Sequence, residues 1–285
     1  MPTALPTLPE PALRDAVRDA VPFLARVVDH GYANAEGGDV ANHGSATSIV
    51  RHVANYLLAS EAIAGAGVPA GADLLDVGCG TAALSAWLAD RHGLRLHLAD
   101  HDPGVLEAAA SSFDVAATVT DLAAAPRCAV VTAMEVLEHV PPAEQPAFVA
   151  ALLDRVADGG VLVISTPDES HYPGGWSGYA PHVGCVTPAR LEALLVDAGV
   201  ADPTVLRLHG GAFELPWWRR LAERVGNRAW AWLQARVPQG AAWLSARVAG
   251  RHHGIDVPRD DALFRVSVDP PARGRGGGFV ALARR

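Results

Sequence analysis

From Pro69 onward the chain alternates between two textures: short runs of branched aliphatics that end in an acid or a glycine, and longer Ala- and Leu-rich stretches with helical spacing. The first kind predicts buried strands and the second helices. In chain order the strands are DLLDVG, LRLHLAD, VAATVTDL, AVVTAME and GVLVIST. The helices are AALSAWLADRH, PGVLEAAASS, EQPAFVAALLDRVA and TPARLEALLVDAG, the last capped by Thr187 with Pro188 in its first position. Strand followed by helix, repeated, predicts a parallel sheet covered on both faces. In such sheets ligands lie beyond the carboxyl ends of the strands, where the strand order reverses. The loops after Asp76, Asp100, Asp121, Glu135 and Thr166 are therefore expected to share one rim.

Upstream, Leu13, Val17, Ala20, Phe23, Leu24, Val27 and Val28 recur at helical spacing between Glu10 and Asp29, with Pro22 predicting a kink or break. The prolines before them predict a loose surface segment. A Gly-, Asn- and Asp-rich loop leads to a second helix from Ser48 to Ala64, with Ser45 or Thr47 as its cap. Downstream, PTVLRLHG and the terminal GGFVALARR read as strands, with ALFRVSV pairing near the last one. Between them, residues 213–253 predict a helical insert that holds Trp217, Trp218, Trp230, Trp232 and Trp243 and is rich in arginine. The expected organisation is a helical segment over 1–68, a core over 69–210, the insert over 211–262 and closing strands over 263–285.

Composition narrows the function classes. With 285 residues and 50% apolar side chains, a large core is available. A net charge of -8 argues against a surface built for nucleic acid. Cys79, Cys128 and Cys185 form no CxxC pair, so neither a disulfide framework nor a zinc site is predicted, and a reducing cytosol is the expected compartment. Neither a leader peptide nor an apolar stretch long enough to span a bilayer is expected.

Candidate chemistry starts at LLDVGCGTAAL, residues 74–84. Gly78 and Gly80 permit a sharp turn and a close ligand, and the helix after them offers free N–H groups. Asp100 closes the next strand, where an acid can accept both hydroxyls of a ribose. A dinucleotide fingerprint fits less well, because Ala83 stands at its third glycine.

LLDVGCGTAAL, LHLADHD, VTDL, TAMEVLEHV and VLVISTP, in that order, resemble the motifs of class I S-adenosylmethionine-dependent methyltransferases, over roughly residues 70–210. The resemblance implies a Rossmann-like α/β fold whose seven-stranded sheet is mostly parallel and ends in an antiparallel strand. It also implies S-adenosylmethionine as cofactor. Asp76, Gly78 and Gly80 would surround its methionine part, Asp100 would hold its ribose, Asp121, Leu122 and Met134 would lie at its adenine, and Cys79 and His101 would also border the cofactor. Arg127 and Cys128 depart from the family where an aromatic and an aspartate are common.

MEVLEHVPP is similar to O-methyltransferases of ubiquinone biosynthesis, and that resemblance implies Glu135, Glu138 and His139 as holders of a divalent cation such as Mg2+. A helical turn after the strand would place the three on one face. Without a metal, the Glu-His step is a polar wall of the pocket. For a base that takes a hydroxyl proton, His139 is the first candidate, assisted by Glu135, and His182 the second, with His171 and Tyr172 behind them. The insert fits a lid over an apolar substrate pocket, a helix lying at a membrane interface, or a homodimer contact. The expected activity is methyl transfer to a small molecule, at a hydroxyl of an aromatic or apolar metabolite. Transfer to nitrogen or carbon is the near alternative, a nicotinamide oxidoreductase the distant one, and a cofactor-binding protein without catalysis the third.

Overall fold

A computed structural model describes residues 8–29, 46–170, 172, 175–214, 217–237, 255–269 and 277–285. Helices α1 (Glu10–Asp29) and α2 (Ala46–Ala66) precede the alternating part: β1 (Asp73–Val77), α3 (Ala83–His92), β2 (Arg95–Ala99), α4 (Pro103–Ser112), β3 (Ala117–Val119), β4 (Cys128–Met134), α5 (Gln145–Arg155), β5 (Val156–Pro167), α6 (Pro188–Asp197) and β6 (Thr204–His209). Helix α7 (Trp217–Arg236) and strands β7 (Ser267–Asp269) and β8 (Gly278–Arg284) follow. Pro22 is accommodated inside α1, which runs on through it. Ser45 lies outside the described residues, and Thr47 falls inside the first turn of α2 rather than before it.

The sheet order is β3-β2-β1-β4-β5-β8-β6-β7. The chain builds outward from β1 to β3, then returns to the other side of β1 to lay down β4 and β5, all parallel. The order thus reverses between β1 and β4, and a crevice opens at their carboxyl ends. Strand β8 inserts antiparallel between β5 and β6, as expected of the last strand. The sheet has eight strands rather than seven because β7 adds itself to the outer edge. Ser267–Asp269 pairs with β6 rather than with the terminal strand.

Successive strand residues face opposite sides. Leu74, Val130, Val163, Leu206 and Val280 pack into the core formed with α1 to α4, while Leu75, Val131, Ile164, Val205 and Ala281 pack under α5 and α6. Both faces are covered, which is why the central strands are apolar throughout. The first of these cores takes in Leu13, Val17, Val53 and Leu57, so the N-terminal helices share the interior of the sheet domain. No helix among the described residues is long and apolar enough to cross a membrane.

Candidate active site

The crevice holds a cavity of about 910 Å³. That is the upper end of the range for small-ligand pockets and leaves room for a nucleoside-sized molecule beside a smaller one. Its floor is the turn from β1 into α3. Gly78 and Gly80 have φ of 67° and 49°, in the left-handed region where a side chain is strained. A Cβ at Gly78 would lie 2.5 Å from Val136, whereas a Cβ at Gly80 would meet nothing within 4 Å. Gly80 therefore leaves open the space that a closely approaching ligand needs. Ala82, itself left-handed, supplies no side-chain cap to α3, so the helix presents its first N–H groups uncapped at a cavity that Ala82, Ala83 and Leu84 line.

Asp100 ties this turn to the end of β2. One of its oxygens accepts the Gly80 N–H at 3.3 Å and the other the Asp102 N–H at 3.1 Å. Its carboxylate has lone pairs to spare for a diol. His101 stands beside it, well exposed, with Nδ1 3.3 Å from Asp100. Met134, Leu122 and Thr120 line the cavity farther along. Asp121 is not among the residues that line it: it is exposed and accepts the Ala123 N–H at 2.9 Å.

Asp76 lies beneath the floor rather than on it. It is 1% exposed, and Oδ1 accepts the Thr132 hydroxyl at 2.7 Å while Oδ2 is left without a hydrogen bond. Burial pushes its pKa up to about 6, partly offset by Thr132 and by the nearby Ser85 and Tyr56 hydroxyls, neither placed to bond Oδ2. Burial also raises the Tyr56 phenol well above its ordinary value, with the Asp76 charge adding to the effect. Tyr56, from α2, lines the cavity, as do Ser48, Arg51 and His52 of the same helix.

At the end of β4 the expected metal set comes apart. Glu135 has φ 57°, so the chain does not turn helically at this residue, and only Leu137–His139 form a short 3₁₀ turn. The Glu135 carboxylate is held by Asn55 Nδ2 at 3.1 Å and the Ser165 hydroxyl at 3.0 Å. Among the described residues, the ligand-capable cluster is instead Glu138, His139 and His182, each offering a donor atom within 4.8 Å of the others. Two imidazoles and one carboxylate suit a first-row transition ion, whereas Mg2+ takes oxygen ligands, so these residues do not fit magnesium. Glu138 is buried, accepts the Thr166 hydroxyl at 3.1 Å through Oε2 and has no hydrogen-bond partner at Oε1. Its pKa lies well above the carboxylate range, through burial first and the Glu135 charge second.

The strongest polar arrangement at the cavity is one that sequence reasoning missed. Glu169, 3% exposed, accepts the Ser177 N–H at 2.9 Å, the Ser177 hydroxyl at 2.7 Å, the Cys185 thiol at 3.1 Å and Nδ1 of His182. Burial opposes its ionisation, but the bonds from His182 and Ser177 prevail and hold its pKa at about 2. The His182 ring packs edge-on against His139 and Tyr179, each with centroids 4.9 Å away. Both histidines, Glu169, Tyr172 and Tyr179 line the cavity; His171 lies outside the described residues. The only sequence signal for Glu169 was its place at the rim after β5.

A family model described as a methyltransferase domain matches residues 50–247. Ubiquinone biosynthesis O-methyltransferases of Psychrobacter arcticus and Psychrobacter cryohalolentis are each 31% identical to the chain over 182 residues, 55% of this chain and 68% of theirs. Among solved structures, the [4+2]-cyclase SpnF superposes with a TM-score of 0.51 at 16% identity over 93% of both chains, a likeness of fold alone. The glycine turn with open space at Gly80, the carboxylate of Asp100 and the strand reversal above them fit a nucleoside cofactor, and together with the family match they place this chain among the class I S-adenosylmethionine-dependent methyltransferases.

Proposed function

We propose that the chain methylates a hydroxyl of an aromatic or apolar small molecule, with His182 as the base and Glu169 as the residue that positions it. Family membership sets aside the nicotinamide reading. What supports the hydroxyl over nitrogen or carbon is the Glu169–His182 pair: an amine attacks through its own lone pair, whereas a hydroxyl becomes a strong nucleophile only as its proton leaves. The O-methyltransferase relatives agree with that choice.

Bound S-adenosylmethionine supplies a methyl group on a sulfonium whose departing sulfur keeps the bonding electrons. The acceptor oxygen forms the new C–O bond. With Nδ1–H committed to Glu169, His182 carries its lone pair on Nε2 and takes the proton released by the hydroxyl. Glu169, ionised through the working pH range, stabilises the resulting imidazolium. Gly80 and Asp100 hold the cofactor, and the apolar and aromatic wall excludes water.

The test is methyl transfer from radiolabelled S-adenosylmethionine to a panel of catechols, simple phenols and aryl amines. Phenolic transfer is expected to rise with pH through an apparent pKa that moves in Glu169→Gln, with kcat falling about 10²-fold or more and cofactor affinity unchanged. Transfer confined to amines, or a Glu169→Gln pH profile that superposes on the wild type, refutes the proposal.

A further inference from the structure

Among the described residues, the large apolar side chains that stand open to solvent are gathered in one place. Apart from Val183 and Val196, they are Trp217, Trp218, Leu221, Val225 and Trp232 on α7 and Val237 just beyond it. Trp217 is 70% exposed, and Val225 and Trp232 are each 60% exposed. At about 100° per residue, the five on the helix fall within an arc of about 100°, with Arg228 and Arg236 near its edges. A soluble helix packs such a stripe inward; here it faces out.

One edge of this stripe is fixed against the rest of the chain. Side-chain space at Gly178 is closed by the Arg224 carbonyl and by the stems of Arg224 and Arg228. Gly178 lies between Ser177 and Tyr179, which line the cavity, so one edge of the stripe meets the cavity's rim while its apolar side chains stand open to solvent beside it.

Charge identifies the occupant of that stripe. Helix α7 carries Arg219, Arg220, Arg224, Arg228 and Arg236 against Glu223 alone, in a chain whose net charge is -8. A symmetric dimer through this face would set one basic helix against another. A lipid surface of negative charge accepts both features at once: arginines at the headgroups, and tryptophan, leucine and valine at the acyl boundary. We infer that α7 docks the enzyme on an anionic bilayer surface, lying in the interface without crossing it, and so brings the rim of the active-site cavity to the lipid. This inference stands on α7 alone and does not depend on which atom is methylated.

The measurement is co-sedimentation of the full chain with phosphatidylcholine vesicles, with and without about one-third phosphatidylglycerol, at ionic strengths of about 0.05 M and 0.5 M. Binding is expected on the anionic vesicles only, and several-fold weaker at the higher salt. The variant Trp217→Ser/Trp218→Ser/Trp232→Ser is expected to lose at least about tenfold in vesicle affinity, and Arg228→Glu/Arg236→Glu several-fold, with circular dichroism and S-adenosylhomocysteine binding unchanged in both. Failure to sediment with anionic vesicles overturns the inference, as does equal binding by the tryptophan variant. Light scattering that shows a dimer dissolved by the same substitutions overturns it in favour of a second copy. Capture by the soluble polyanion heparin without vesicle binding overturns it in favour of a polyanion partner.

Discussion

Replacing Asp76 by asparagine isolates the cost of burying a carboxylate under the cofactor turn. The side chain is 1% exposed and its pKa is raised from 3.8 to about 6. In the unfolded chain the group ionises near 3.8, so between that pH and about 6 the unfolded state releases a proton that the folded state keeps, and stability falls as pH rises. At about 1.4 kcal/mol per pKa unit, the loss approaches about 3 kcal/mol above pH 7, with about 2 kcal/mol of it falling between about pH 4.5 and pH 8. The variant keeps the acceptor for Thr132 but places an amide N–H where Oδ2 has no partner, a pH-independent penalty of about 1–3 kcal/mol. The diagnostic quantity is therefore the difference between the two proteins as a function of pH.

Urea unfolding of the cofactor-free proteins, followed by circular dichroism, gives that difference directly. The Asn variant is expected to gain about 2 kcal/mol relative to wild type on going from about pH 4.5 to pH 8, with equal m-values. Because S-adenosylmethionine is cationic, its binding offsets part of the penalty in the wild type, so cofactor-induced stabilisation is larger at pH 8 than at pH 5 and changes less with pH in the variant. A stability difference that does not change with pH would refute the reasoning, for it would mean that Asp76 titrates in the fold as it does in water.

Gly80→Ala finds open space at Cβ but a φ of 49°, so it costs about 1–2 kcal/mol in stability while lowering S-adenosylhomocysteine affinity by about tenfold or more in calorimetry. Gly78→Ala, 2.5 Å from Val136, is expected to cost more stability than Gly80→Ala in the same urea titration. For Glu169 the sign is opposite to that of Asp76: a pKa of about 2 against an ordinary 4.5 gives about 3 kcal/mol of stability above pH 4.5 that disappears as pH falls toward 2, so Glu169→Gln destabilises the protein at pH 7 and hardly at all near pH 2. Because Glu138, His139 and His182 do not fit magnesium, added Mg2+ should not raise phenolic methyl transfer by the chelator-treated protein; activity restored by Mg2+ would refute that reading.

The turn from β1 into α3 was legible because its geometry restricts the residues that can form it. Left-handed backbone at Gly78 and Gly80, with Val136 closing the space at Gly78, admits almost nothing but glycine, and the acid closing the neighbouring strand is bonded back to that turn. The parallel sheet was legible for a related reason, since strands covered on both faces leave continuous apolar runs. The acceptor half follows no period. Glu169 meets Ser177 and His182 through an irregular loop whose path no local spacing encodes. At Glu135 a positive φ, rare for a side-chain-bearing residue, replaced the helical turn that would have gathered the expected metal set. Asn55 offered one neglected signal: a polar residue in the apolar run VANYLL, which in a buried helix requires a partner.

That partner shows how the two halves of the site are joined. Asn55 and Ser165 both donate to Oε1 of Glu135, so a residue of α2, the strained residue after β4 and a residue near the end of β5 meet at one oxygen. One residue along α2, Tyr56 lies over Asp76 under the cofactor turn; one turn earlier, Arg51 lines the same cavity and covers the Phe213 ring at 5.6 Å. A shift of α2 would disturb the cofactor floor and the end of β4 together, because neither Asn55 nor Tyr56 can move without the other. Helix α2 is held against the sheet by Val53, Leu57 and Leu58 in the main core, so its position is fixed by packing before either ligand arrives. The strained backbone at Glu135 is then part of the contact that ties the end of β4 to α2 and β5, and this gives a structural reason for a non-glycine residue to be kept in the left-handed region there.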